Sequence, residues 1–240
     1  MGKASPASVK AAFQSSGQGR DADSRKSYNH PCTIARALDI LGDRWTLLIL
    51  RDLMSGLHRY TEIQESCQGM SPNVLSDRLK RLQEDGLIER HHRKGLPPQV
   101  EYTLTEKGWA VRPVLQSLID WAKQHVGSLD PEDRETGAST DFVVRVIPTF
   151  AFHAANAAGI AATMVVEIAE APGCTAWTFE IRDGHLLPRR NASPLADIRL
   201  RTTTSGFFAF VRGQANAEDV GELNGDPDVA RAIQACFITH

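Results

Sequence analysis

Ser71-Pro72-Asn73-Val74-Leu75-Ser76-Asp77-Arg78-Leu79-Lys80-Arg81-Leu82-Gln83-Glu84-Asp85-Gly86 is the stretch on which the fold turns. Serine followed by proline is a helix N-cap with proline at the first helical position, where the missing N–H costs nothing. Leu75, Leu79 and Leu82 recur at helical spacing, and Asp85-Gly86 supplies the stop. With the leucines inward, Asn73, Ser76, Asp77 and Lys80 point outward, Arg81 lies toward one flank and Arg78 borders the apolar stripe.

Upstream, Gln68-Gly69-Met70 reads as a turn, preceded by a short helix around Tyr60 to Cys67 with Ile63 inward. Before it, Trp45, Leu48, Ile49 and Leu53 share one helical face that stops at Gly56. Downstream the period changes. Leu87-Ile88-Glu89-Arg90 opens a strand, and Val100, Tyr102 and Leu104 alternate with Glu101 and Thr103 in another. Between them Arg93-Lys94-Gly95-Leu96-Pro97-Pro98 is a basic, turn-rich tip. A long helix is expected to start after its cap, Thr105, and to run toward Val126.

Two helices, a short helix, a turn, a further helix, a hairpin with a cationic tip and a long helix make the winged helix-turn-helix order. Packed leucines leave the second helix of the pair free to enter a major groove, and the β-ribbon tip can approach phosphate or the minor groove. Asn73 and Ser76, in the first turns, are the candidates for base edges, with Asp77 on the same face. Lys80 and Arg81 suit phosphates, while Arg78 reaches a phosphate or braces the domain. The Ser71-Pro72 start can cradle a phosphate on its amides. Arg59 and Thr61 open the preceding helix, where a backbone contact is natural, and Arg93 and Lys94 belong to the wing. Trp45, Tyr60 and Tyr102 read as packing residues rather than base-stacking ones.

Three separated stretches carry a family resemblance: Cys32-Thr33-Ile34-Ala35-Arg36-Ala37-Leu38-Asp39-Ile40-Leu41-Gly42-Asp43-Arg44-Trp45, continuing to Arg51; Ser71 to Leu79; and Val100-Glu101-Tyr102-Thr103-Leu104-Thr105-Glu106-Lys107-Gly108. In them the chain resembles HxlR-type transcriptional regulators, relatives of the MarR-like winged-helix group. The resemblance implies a homodimer bridged by terminal helices and reading a pseudo-palindromic operator in double-stranded DNA, as repressor or activator. The face formed by Val111, Val114, Leu115, Leu118, Trp121 and Ala122 is wider than one small domain needs, which suits a dimer seam. Cys32 stands just before the first helix, where a helix amino terminus lowers a thiol pKa. Some HxlR-type regulators sense oxidants or electrophiles with a cysteine in this neighbourhood, so redox control stands as an alternative to ligand control.

Residues 141–240 read as a second, α+β domain. Thr163 to Ile168, Trp177 to Arg182 and Ile198 to Thr202 alternate as strands, with a turn at Asp183-Gly184. Helical signals follow at Phe207 to Val211, after Asn216, and from Asp226-Pro227 onward. The run Gly221-Glu222-Leu223-Asn224-Gly225-Asp226-Pro227-Asp228 resembles the close of sterol-carrier-protein-type domains. That resemblance implies a small sheet with helices over one face and an apolar cavity, which Trp177, Phe179, Phe207, Phe208 and Phe210 would line for a small lipophilic effector. A C-terminal half serving only dimerisation is the other reading.

The whole chain is thus expected to be α+β: an arm over 1–29, a winged helix over 30–126, a linker over 127–140 and the second domain over 141–240. The arm lacks large apolar residues and is expected to be disordered. About five basic and two acidic residues fall in 1–30, against nine basic and fifteen acidic in 127–240, a skew compatible with nucleic-acid contact on the amino-terminal side. No apolar run reaches the ~18 residues of a bilayer span and the amino terminus carries no secretory stretch, so a cytoplasmic protein without membrane contact is expected. The four cysteines are scattered and read as free thiols, with no metal or cofactor expected. An enzyme is the least favoured class. His91 and His92 point to opposite faces of a strand, Glu167, Glu180 and Asp183 show no pairing, and no phosphate loop or nucleophile elbow is present.

Overall fold

The computed structural model describes residues 27–94, 99–127, 139–169 and 175–237. They fall into two compact units, one ending at Asp43 and one beginning at Arg44. The first is built on α1 (Thr33–Leu41), an amphipathic helix with no buried residue; its Ile34 and Leu38 are 69% and 42% exposed. Asp39 accepts hydrogen bonds from Ser27 Oγ and the Tyr28 amide, both at 2.8 Å, so the end of the expected arm is held to the helix. Residues 1–26 lie outside the described residues.

The second unit opens with α2 (Thr46–Met54), α3 (Tyr60–Ser66) and α4 (Pro72–Glu84). Gly56 stops α2 at φ +90°. Its amide bonds the Leu53 carbonyl and that of Leu57 bonds Asp52, a Schellman closure of the orphan carbonyls. Gly56 has a second duty, because a Cβ there would stand 2.4 Å from the Pro188 carbonyl oxygen in the C-terminal half. α4 begins with Ser71 Oγ accepting from the Val74 amide and Pro72 in the first turn. Leu75, Leu79 and Leu82 are buried with Ile49, Leu50, Leu53 and Ile63.

β1 (Ile88–Arg93) and β2 (Gln99–Leu104) pair antiparallel from Ile88 opposite Leu104 to Arg93 opposite Gln99. The tip, residues 95–98, lies outside the described residues. The α2–α3 connection runs beside β2, with the Tyr102 amide 2.7 Å from the His58 carbonyl and a bridge between Arg59 and Glu101. The single long helix expected after Thr105 is instead two: α5 (Glu106–Trp109) and α6 (Arg112–His125). Pro113, in the first turn of α6, has no amide to give the Trp109 carbonyl and its ring would clash there, so the helix must restart.

The C-terminal half adds α7 (Thr140–Ala151), capped by Ser139, and a five-stranded sheet. Its strands are β3 (Ala162–Ile168), β4 (Thr175–Arg182), β5 (His185–Arg190), β6 (Ile198–Thr202) and β7 (Gly221–Gly225), in the order β5-β4-β3-β6-β7. β3 and β6 are parallel and the other neighbours antiparallel. Asp183 and Gly184, at φ 52° and 72°, make the two-residue turn between β4 and β5. Three helices complete the half: α8 (Thr204–Val211), α9 (Ala217–Val220) and α10 (Pro227–Ala235). No helix among the described residues is long and apolar enough to cross a membrane.

Two expectations change here. Trp177, Phe179, Phe207, Phe208 and Phe210 do not line a cavity; they are the core, each at most 4% exposed. Phe179 stacks on Phe207 at 5.8 Å and Phe207 on Phe210 at 6.5 Å, so the rings fill the space they were expected to surround. Nor does the boundary between compact units fall in 127–140, of which 128–138 lie outside the described residues. The winged helix from Arg44 onward and the C-terminal half are one unit, in which α7 packs on α2 as well as on β4, β5 and α8.

Candidate nucleic-acid interface

The outward face of α4 is built from its first turn. Asn73, Ser76 and Lys80 are exposed, as are Ser71 and Pro72 before them. Tyr60 fastens α3 to this turn: its hydroxyl donates to the Pro72 carbonyl at 2.7 Å and accepts from Ser76 Oγ at 3.3 Å. Gln64 Nε2 donates to the Met70 carbonyl at 2.5 Å, a second tie across the turn. Asp77, on the same face and 37% exposed, orients two cations. Its carboxylate holds Arg78 at 3.0 Å and Arg81 at 3.1 Å, and those side chains are only 15% and 24% exposed. Lys80 reaches Glu84 at 3.7 Å, a separation that water screens at this exposure.

Arg59 and Thr61 are exposed at the start of α3. Glu62 Oε2 accepts from the amides of His58 and Arg59 at 3.1 and 3.0 Å, ordering the loop that carries them. His58 is covered: Nδ1 lies 3.1 Å from the Tyr102 carbonyl, and burial draws its pKa below the ordinary histidine value against the opposing pull of that carbonyl and Glu62. On the wing, Arg93 Nε donates to Glu101 at 2.8 Å, which with its charge holds the Glu101 carboxyl below the usual range. Lys94 is exposed beside the tip. Arg90 and His92 are exposed too, whereas His91 turns to Thr103 Oγ1 at 2.7 Å. Arg90 was not singled out from the sequence, although strand alternation places it on the outward side with His92.

The expected dimer seam divides. Val111 and Leu115 face into the unit at 6% and 7% exposure, Ala122 is half-buried, and Val114, Leu118 and Trp121 stand 45%, 47% and 58% exposed. The last three form an apolar stripe along α6 with no cover from the unit itself. Cys32 is exposed at the N-cap of α1, where the amides of Ala35 and Ile34 pull its thiol below the ordinary value.

A family model described as HxlR-like helix-turn-helix matches residues 40–130. YvaP of Bacillus subtilis (strain 168), an uncharacterized HTH-type transcriptional regulator, is 38% identical over 91 residues, which take in 38% of this chain and 84% of that protein. The chain belongs to the HxlR-like helix-turn-helix family. YodB, another HTH-type transcriptional regulator of the same strain, is 42% identical over 88 residues, 37% of this chain and 79% of YodB. The solved structure of reduced YodB from B. subtilis is 38% identical and covers 43% of this chain and 100% of its own, with a TM-score of 0.36. The family match ends before α7.

What ties the HxlR-like part to the half beyond it is a buried charge cluster that the sequence did not reveal. Asp52 of α2 is fully buried. Its Oδ1 accepts from Arg51 Nε and Nη2 at 3.1 and 2.9 Å and from Arg145 Nη1 of α7 at 2.9 Å. Arg145 also donates to Ser55 Oγ at 2.5 Å and Ser66 Oγ at 2.6 Å. Cys67 Sγ lies 3.4 Å from Asp52 Oδ2, and burial with the neighbouring carboxylate pushes that thiol up to about 12. At the C-terminal end of α7, Arg112 donates to the carbonyls of Thr149 and Phe152 at 2.7 and 2.9 Å. These are among the orphan acceptors of a helix terminus.

Proposed function

We propose that this protein is a sequence-specific, dimeric DNA-binding transcriptional regulator whose C-terminal half receives a small-molecule signal. The observation that carries the reading is the start of α4: capped, stapled to α3 through Tyr60, and offering Asn73, Ser76 and Lys80 to solvent. Arg59, Thr61 and the exposed wing cations Arg90, Arg93 and Lys94 supply backbone contacts on either side. Arg78 and Arg81, oriented by Asp77, approach phosphate as a pair. The uncovered stripe of Val114, Leu118 and Trp121 supports a second copy on α6, and the bare apolar face of α1 is a further surface that needs cover. Two-fold symmetry in the protein calls for a pseudo-palindromic operator. The strand and helix order of the C-terminal half, closing on Gly221 to Asp228, supports the sterol-carrier-type reading.

Binding of the purified protein to its own upstream DNA across a salt series tests this. Lys80→Ala and Arg93→Ala each should lower the slope of log affinity against log salt by about 0.9 per lost phosphate contact. Asn73→Ala should instead relax base preference with the slope kept. Wild-type slopes in both cation variants would displace the interface from α4 and the wing. A second reading, oxidant sensing, is favoured by the exposed and acidified thiol of Cys32; an oxidant response that survives Cys32→Ser removes it.

A further inference from the structure

We propose that the cleft between the winged helix and the C-terminal half is an effector site for a small planar organic anion of the aromatic carboxylate class. The inference rests on the regulator reading above and names where its signal enters. The cleft has a volume of about 510 Å³ and is bordered by Trp45, Leu48 and Phe142 with the guanidinium groups of Arg51, Arg145 and Arg190. That size and that mix of apolar walls with a few convergent polar groups are those of small-molecule sites.

Charge selects the ligand class. Arg51 and Arg145 share the single carboxylate of Asp52. Arg190 and Arg145 share that of Asp141, at 3.1 and 3.6 Å, and Asp141 also accepts from Trp177 Nε1 at 3.0 Å. Three cations are thus interlocked with two anions. Glu62 and Glu65 border the cleft as well, but Glu62 Oε2 is turned to backbone amides and Glu65 stands in solvent, where water screens it. Within this cluster Arg145 Nε is buried and makes no hydrogen bond, Asp141 Oδ2 standing 3.6 Å away, an uncommon state for a charged donor whose side chain is 1% exposed. A carboxylate is the group whose shape matches a guanidinium edge. Phe142 already lies under two guanidinium planes, 4.9 Å from Arg51 and 5.3 Å from Arg145. A flat aromatic body beside it would meet the same cations by the same attraction.

The site's neighbours lead to the DNA face. Arg145 holds Ser55 after α2 and Ser66 of α3, and α3 is tied to the first turn of α4 through Tyr60 and Gln64. An anion that draws Arg145 toward itself changes the grip of α7 on α2 and α3, and one that draws Arg190 changes the grip of β5 on α7. DNA affinity responds if the anion binds one arrangement better than the other, and the coupling is then reciprocal.

The test is calorimetric titration of the full chain with naphthalene-2-carboxylate and with naphthalene-2-carboxamide, its uncharged counterpart of the same shape, in the presence and absence of operator DNA. The carboxylate is expected to bind once per chain, about tenfold or more tighter than the amide. Arg190→Gln should weaken the carboxylate alone, and Leu48→Trp, which fills the cleft, should weaken both; ligand-free DNA binding should persist in each. Operator DNA should change the carboxylate affinity by the factor by which carboxylate changes operator affinity. Equal binding of acid and amide, no binding at millimolar concentration, or wild-type binding by both variants overturns the site while leaving the DNA reading intact. Carboxylate binding by a protein that binds no DNA overturns the regulator reading instead.

Discussion

Replacing Arg145 by methionine keeps the unbranched stem of the side chain and removes the guanidinium head and its charge from the seam. Asp52, with no exposed surface, would retain Arg51, which is itself 18% exposed, and the weak thiol donor of Cys67. Ser55 and Ser66 would lose the donor that reaches them at 2.5 and 2.6 Å. Deleting one partner of a buried ion pair costs about 3–5 kcal/mol, because the remaining charge is left uncompensated. Arg51 still faces Asp52, and Ser55 Oγ keeps its own bonds to the Arg51 and Asp52 carbonyls, so the lower end, about 3 kcal/mol, applies. For a unit of this size each kcal/mol shifts Tm by roughly 2–4 °C, giving a loss of about 6–12 °C by calorimetry or circular dichroism. The double variant Asp52→Asn with Arg145→Met should recover part of this loss, since the orphaned charge is gone. An Arg145→Met protein within about 1 kcal/mol of wild type would match an exposed pair and refute the buried-hub account. A double variant weaker than the sum of its singles would refute the argument from uncompensated charge.

Three further outcomes follow from other parts of the molecule. Trp121→Arg should convert a dimer to a monomer in sedimentation velocity and weaken operator binding, with little effect on Tm, because that ring is 58% exposed in the single chain; an unchanged sedimentation coefficient would move the dimer contact off α6. With iodoacetamide near pH 8 and peptide mapping, Cys32 should be alkylated first and Cys67 spared, the one exposed and acidified, the other buried and raised to about 12; faster labelling of Cys67 would contradict the seam. The lowered pKa of His58 means that the unfolded chain takes up its proton at a higher pH than the fold does. Its stabilising effect is therefore present above the ordinary histidine value and lost as pH falls through the window down to the lowered one. Wild type should lose Tm below about pH 6.5 more steeply than His58→Asn, and parallel curves would mean that the ring is not buried neutral.

The parts legible in the sequence are those whose signals are local. Ser71 caps its own helix, Gly86 stops it, and Leu75, Leu79 and Leu82 count out the buried face between them, so α4 could be drawn residue by residue. β4 was legible for the same reason, since Trp177, Phe179 and Ile181 alternate up to a turn whose residues accept positive φ. α7 was not, because it is covered on most sides: Val143, Val144, Arg145, Val146, Pro148, Thr149 and Phe150 are all buried and leave no polar face to count against. Pro148 within it also argued against a helix. β5 was missed through Pro188, which a strand tolerates there because β5 is the edge of its sheet. The five core rings show a different failure, since composition alone cannot tell side chains that line a space from side chains that fill it. The seam could be half read, as an acid inside the apolar run of α2 needs a partner, but nothing local says that the partner is Arg145 on α7.

That seam bears on how a signal could cross between the halves. An apolar joint would hold through burial alone and would answer to no particular ligand, since the hydrophobic effect has no direction. A buried ionic joint contributes little net stability against its own desolvation, so stability gives weak reason to place one there. It does, however, make the contact depend on a few charges that another charged molecule can compete for. α7 is gripped at its middle by Asp52 through Arg145 and at its end by Arg112, so winged-helix residues meet it at two points. A rotation of α7 relative to α2 has to break one grip or carry both α2 and α6 with it. In the first case α2 and α3 are released from α7, and in the second the stripe of Val114, Leu118 and Trp121 moves with it. In the proposed dimer either motion alters the spacing of the two reading heads, which is the quantity a two-half-site operator would measure.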